Sequence, residues 1–119
     1  MDVNEKLMGL ETVTGIPVYP DEIPEGNETG ICFTYEDERP VLYGDDRPLA
    51  DTAYIQINMY TSARLNYMNL KHKLRNYLEA EGFRVTSIAS WIEKELTETE
   101  RTRHTTFDVN YTKPRGKEE

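Results

Sequence analysis

Apolar and polar positions alternate along several short runs of this chain. From Thr52 to Tyr60, Ala53, Ile55, Ile57 and Met59 share one face and Tyr54, Gln56, Asn58 and Tyr60 the other, which is the period of a half-buried strand. Thr105, Phe107, Val109 and Tyr111 alternate with Thr106, Asp108, Asn110 and Thr112 in the same way. Ile31, Phe33 and Tyr35 mark an earlier strand, Val41-Leu42-Tyr43 a short one, and Phe83 to Ile92 a further one. Between them the spacing changes to three and four: Ala63, Tyr67, Leu70, Leu74, Tyr77 and Leu78 form the buried stripe of a helix. Thr61 or Ser62 is placed to cap its start, and Gly82 to end it in a left-handed conformation. Residues 2–10 predict a short helix weakened by Gly9, Gly15 to Pro20 reads as extended chain, and residues 20–30 read as a loop.

The order β-β-β-α-β-β predicts an α+β fold: a mainly antiparallel sheet of four to five strands, one long helix packed across it and a short N-terminal helix. A chain of 119 residues fits one domain. Within it, residues 1–14 are expected as a short helix or arm, 36–51 as a charged arm or hairpin, and 113–119 as a disordered tail.

Charge sharpens this picture. The net charge is −8, unlike a general nucleic-acid binder, which carries a basic face to displace counterions. Residues 1–60 hold 13 acids and 3 bases, net −10, while 61–119 hold 9 acids and 11 bases, net +2. The two halves either interleave in the fold or serve head-to-tail contacts between copies, acidic surface to basic surface. Cys32 is the single cysteine, which excludes an intramolecular disulfide and a cysteine-rich zinc site. No apolar run approaches the roughly 20 residues that cross a bilayer, and the acidic start Met1-Asp2-Val3-Asn4-Glu5 is no secretory signal, so a cytoplasmic protein is expected.

Candidate chemistry is sparse. The acids Glu36-Asp37-Glu38, Asp45-Asp46 and Glu93 to Glu100 cluster in expected turns, where carboxylates are normally solvated. His72 and His104 are far apart and lack cysteine companions. No nucleophile elbow or phosphate-cradling glycine loop occurs, so no catalytic, cofactor or metal residue is assigned, and an enzyme is not expected.

Three features suit binding instead. The stretch Glu36 to Asp51 is strongly charged, with Glu36, Asp37, Glu38, Arg39, Asp45, Asp46 and Arg47 around the apolar Tyr43 and Leu49. It is either a hairpin with a solvated tip or an arm that docks on a neighbour through those two anchors. The helix carries Arg64, Lys71, Lys73 and Arg75, either an ordinary solvated face or a surface for a neighbour's acids. Tyr54 and Tyr60 lie on the polar side of the best strand, where an aromatic ring is covered or serves as a contact.

The layout over residues 16–113 resembles the tail terminator (tail completion) proteins of long-tailed bacteriophages and prophages. Ile16-Pro17-Val18-Tyr19 leads into a proline-containing loop, then Ile31-Cys-Phe-Thr-Tyr35 and the charged arm. The strand Ala53 to Tyr60 passes into a helix ending Leu74-Arg-Asn-Tyr-Leu78-Glu-Ala-Glu-Gly82-Phe83, and Arg103 to Tyr111 closes the set. Relatives often open with a longer helix than Met1 to Gly9 allows. The resemblance implies a virion protein that forms a ring, usually hexameric, on the head-proximal end of the tail tube. Such a ring ends tube growth and joins the head connector. Its partners would be its own copies, the tail tube protein and the head–tail connector, with DNA only passing through the lumen and no membrane. It would be made in the host cytoplasm and end in the virion. The alternatives are another neck or tail component, such as a head-closure or tube-like protein, and a small cytoplasmic adaptor.

Overall fold

Sixteen consecutive residues of β-favouring pattern set the frame of the molecule. In the computed structural model, residues 2–24, 29–44, 47–62, 67–93 and 102–114 are described, without the side chains of 42, 43 and 48. Helices α1 (Val3–Met8) and α2 (Leu10–Thr14) open the chain. Strands β1 (Val18–Pro20), β2 (Gly30–Gly44) and β3 (Arg47–Ser62) follow, then helix α3 (Tyr67–Ala80) and strands β4 (Arg84–Glu93) and β5 (Thr102–Pro114). The strands form one five-stranded sheet in the order β1-β2-β3-β5-β4. Only β1 runs parallel to its neighbour, matching Val18 with Ile31; the other pairings are antiparallel.

The mixed α+β architecture thus follows the hydrophobic pattern, with specific differences. The expected strands at 31–35 and 41–43 are one continuous β2. It survives the charged stretch because Asp37 to Gly44 finds partners in Arg47 to Tyr54, and Glu36 is taken out of register as the extra residue of a bulge between Tyr35 and Asp37. The extended segment before the loop pairs as β1. Strand β5 continues through Lys113 and Pro114, opposite Asp51 and Ala50. The described helix α3 has 14 residues. Thr61 and Ser62, expected at its cap, are the last paired residues of β3, opposite Arg103 and Thr102.

One face of the sheet carries the core. Ile31, Phe33, Ile55, Ile57, Met59, Phe107 and Val109 are buried in a single cluster with Leu7, Leu10, Leu74 and Leu78 of the helices. All three helices therefore contribute to the same side. Leu74 and Leu78 stand one turn apart, as the stripe requires. Helix α3 ends as Gly82 predicts: its φ is +94°, the Phe83 amide donates to the Leu78 carbonyl at 2.9 Å, and the Gly82 amide donates to that of Glu79 at 3.2 Å.

The junction of α1 and α2 is tied to α3 by close approach. The Tyr77 hydroxyl donates to the Lys6 carbonyl at 2.7 Å. An alanine Cβ at Gly9 would fall on that hydroxyl oxygen and sit 3.1 Å from Tyr77 Cζ. Gly9 has φ −64°, which alanine adopts freely, so the collision and not the backbone decides the outcome. Overpacking costs about 1–3 kcal/mol, so Gly9→Ala is expected to destabilise by that amount in urea denaturation. In a Tyr77→Phe background the same change should cost less, because the hydroxyl oxygen is gone while the ring carbon at 3.1 Å and the Lys6 carbonyl oxygen at 3.2 Å stay close.

Candidate functional site

Strand β2 leaves the shelter of β1 after Phe33, and every residue from Thr34 to Pro40 is exposed. Asp37 and Arg39 lie two apart on one face, and the Arg39 guanidinium donates to the Asp37 carboxylate at 2.6 Å. That hydrogen bond, with the Glu38 amide, holds the Asp37 carboxyl below its ordinary range. The ion pair is open to water and adds little to stability. It does give the arm a set shape, because Arg39 also lies over the Tyr54 ring, 5.4 Å from its centre. Glu38 and Glu36 are exposed beside it, and Arg47 and Leu49 are exposed on the returning strand. Tyr43 pairs with Pro48 through its backbone; its side chain, like Asp45 and Asp46, lies outside the described residues.

The helix bases do not form one face. Lys71 and Arg75 are one turn apart and half-buried, while Lys73 points about 160–200° away from them and is exposed. Lys71 lies 5.7 Å from the centre of the Tyr67 ring, and Arg75 reaches Glu79 at 3.9 Å. Arg64 lies outside the described residues. The Arg103 guanidinium, absent from the expected set, packs 4.0 Å above Tyr67. Its Nε and the hydroxyl of its cross-strand neighbour Thr61 are buried without a hydrogen-bond partner among the described residues.

The sheet face away from the core is polar and carries the most organised cluster. Tyr60, His104 and Trp91 are directly opposite one another across β3, β5 and β4. Tyr60 stacks on the His104 ring at 4.2 Å, and Trp91 meets it at 4.5 Å and a tilt of 52°. His104 Nε2 is 2.8 Å from Asn58 Oδ1, and Nδ1 is 3.0 Å from Glu93 Oε1. Both facing atoms are acceptors, so an imidazolium donates to both, whereas a neutral ring donates to one. The neutral form is fully satisfied only with the Asn58 amide turned over. Burial, reinforced by Cys32 and Glu93, pushes the Tyr60 hydroxyl up, keeping it a neutral contact group. Trp91 remains 43% exposed.

Sequence reasoning placed Tyr60 here but missed Trp91, Glu93 and His104. Their meeting depends on the β4–β5 register, which no local pattern encodes. A signal existed in the three-residue spacing of Val85 and Ile88: both partner core residues of β5, Val109 and Phe107, across a bulge that leaves Thr86 out of register.

Little here supports group transfer. Burial and the nearby Asp21 charge push the Cys32 thiol up, away from the reactive thiolate. Among the described residues no group of three His, Cys, Asp or Glu side chains is placed to hold a metal ion, and no helix is long and apolar enough to cross a membrane. A shallow groove of about 300 Å³ between α1 and the sheet is lined by Asp2, Val3, Asn4, Tyr35, Tyr111 and Lys113. The Tyr35 hydroxyl is spent there on Asn4 at 2.5 Å. What the described surfaces offer is contact area: a charged arm with an aromatic ring under it, and an aromatic row at the far end of the same sheet face. Compared with known proteins, the chain matches no protein-family model and no curated protein sequence.

Proposed function

We propose that this chain is a structural virion subunit of the tail terminator type. It forms a ring, a hexamer by analogy with the proteins it resembles, on the head-proximal end of a phage tail tube. The ring ends tube polymerisation and provides the joint to the head connector. Its partners are its own copies, the tube protein and the connector; DNA passes through the lumen unbound, favoured by a net charge of −8 that repels the phosphate backbone. The protein acts without catalysis, first in the host cytoplasm and then in the virion.

The observation that carries this reading is the arm. Seven consecutive residues, Thr34 to Pro40, are exposed on a strand whose residues, the bulged Glu36 apart, are paired to β3, so a solvent-facing charged surface is held in ordered backbone at an entropic cost that a partner surface would offset. The feature order that resembles tail terminators supplies the specific role. The finer expectation of one long helix laid across the sheet belongs to the same proposal, supported by the placement of Leu70, Leu74, Tyr77 and Leu78 at the core.

Location provides the test. An epitope appended after Glu119 and labelled with gold should mark the head–tail joint of released virions. Label along the whole tube, or at the distal tip, would contradict the proposal.

A further inference from the structure

The two edges of the sheet are built differently. Beyond β1, the β2 edge is guarded by the devices that keep sheets from pairing: a bulge at Glu36, four charged residues and Pro40. The β4 edge has a bulge of its own at Thr86, but its run Val85-Thr-Ser-Ile-Ala-Ser-Trp-Ile92 carries neither a charge nor a proline. Among the described residues β4 pairs with β5 alone. Trp91 and Ile92 are both exposed there. An edge of this length and composition is a template for another strand.

The charges at its ends identify the strand that fits. Arg84 opens β4 and Glu93 closes it. In an antiparallel pairing of β4 with its own copy, the N-terminal end of each strand lies against the C-terminal end of the other. Arg84 of one copy then meets Glu93 of the other, at both ends of the contact. Face alternation limits the register. Ser87, Ala89, Trp91 and Glu93 partner the polar-face residues Asp108, Thr106 and His104 and the terminal Thr102 of β5, while Ile88 and Ser90 partner Phe107 and Thr105 of the core face. A two-fold axis perpendicular to the sheet pairs like faces only when it passes through a residue, and Ala89 is the residue that sets Arg84 opposite Glu93 once the Thr86 bulge is allowed for. Ile88 then lies beside Ser90 and Ser87 beside Trp91. Past the Thr86 bulge, Val85 lies beside Ile92 and Arg84 beside Glu93. The smallest side chain of the strand sits on the axis.

We infer that β4 is a homodimer interface, joining two copies edge to edge into one continuous sheet centred on Ala89. The contact is isologous and so distinct from head-to-tail ring closure; it does not depend on the tail terminator reading. It gives the free protein a way to cover its open edge.

Cross-linking the full chain tests this. Cβ atoms directly opposite in an antiparallel pair are about 4.5–5.5 Å apart, close to disulfide range. Ala89→Cys, oxidised in solution, should run as a covalent dimer of twice 13.9 kDa on a non-reducing gel. The native Cys32 is buried and supplies an internal control in the unsubstituted chain. Leu49→Cys, exposed on the arm, should stay monomeric under the same conditions. By sedimentation, Ala89→Lys, which sets two ammonium groups on the axis, should weaken the dimer at least about tenfold. Arg84→Glu should weaken it too, and adding Glu93→Arg should restore it. A monomeric wild type, efficient cross-linking at Leu49→Cys instead of Ala89→Cys, or an oligomer indifferent to Ala89→Lys would each overturn the inference. The last two outcomes leave a ring intact, so failure here is separable from failure of the proposed function.

Discussion

Phe107→Ala is expected to remove about 3–5 kcal/mol of folding stability, the largest loss from any single side chain here. Phe107 is completely buried at the middle of β5. It stands opposite Ile57 of β3 and Ile88 of β4, so one ring supports both neighbours on the core face. Truncation removes the transfer free energy of the ring and leaves a cavity that paired strands on either side cannot close, because the ladder fixes their spacing. A domain of this size has a total stability of about 5–15 kcal/mol, so the variant should sit near its folding limit. Thermal denaturation should show a midpoint lowered by on the order of 10–20 °C. A drop of only a few degrees would mean that the sheet and helices repack easily, and that the core is less organised than its burial indicates.

The second large effect concerns assembly and leaves the fold alone. Reversing Asp45, Asp46 and Arg47 together should block incorporation into particles while the monomer keeps its denaturation midpoint to within a few degrees. Arg47 is exposed at the start of β3, opposite Gly44, and Asp45 and Asp46 lie outside the described residues. Surface changes of this kind cost about 0.5 kcal/mol or less each in stability. A reversed charge against a complementary partner costs several kcal/mol, a loss of affinity on the order of a hundredfold or more. Phage yield from a complementing plasmid, read beside the melting curve of the purified variant, separates the two contributions. Unfolding of the variant would make the arm a structural element; normal yield would remove it from the assembly surface.

These two sites also mark how far the sequence could be read. Phe107 was visible because β5 and β3 each bury one face, and a period of two is then imposed on every residue between Thr105 and Val109. The same holds for Leu74 and Leu78 on α3. The arm was visible as charge, but its form was only partly so: Val41-Leu42-Tyr43 reads as a short strand, while the charged Asp37 to Arg39 has little strand propensity and pairs because β3 extends alongside it. Long-range pairing overrode local propensity there, as it did at Val18–Pro20, whose parallel match to β2 leaves no mark in its own three residues. The cluster around His104 was invisible for a related reason. Tyr60 and Asn58 come from β3, Trp91 from β4 and His104 from β5, and one register shift in β4 would send Trp91 to the other face. The basic helix residues show the opposite error: counted together they look like a patch, but two residues are about half a helical turn, so Lys73 faces away from Lys71 and Arg75.

The central claim is that this domain works by ending and joining a polymer, and tail length measures that directly. Electron microscopy of lysates from the parent phage or prophage lacking this coding sequence should show tails of irregular, excessive length and heads without tails, both corrected when the wild-type chain is supplied in trans. Tails of normal, uniform length attached to heads in the deletion strain would contradict it.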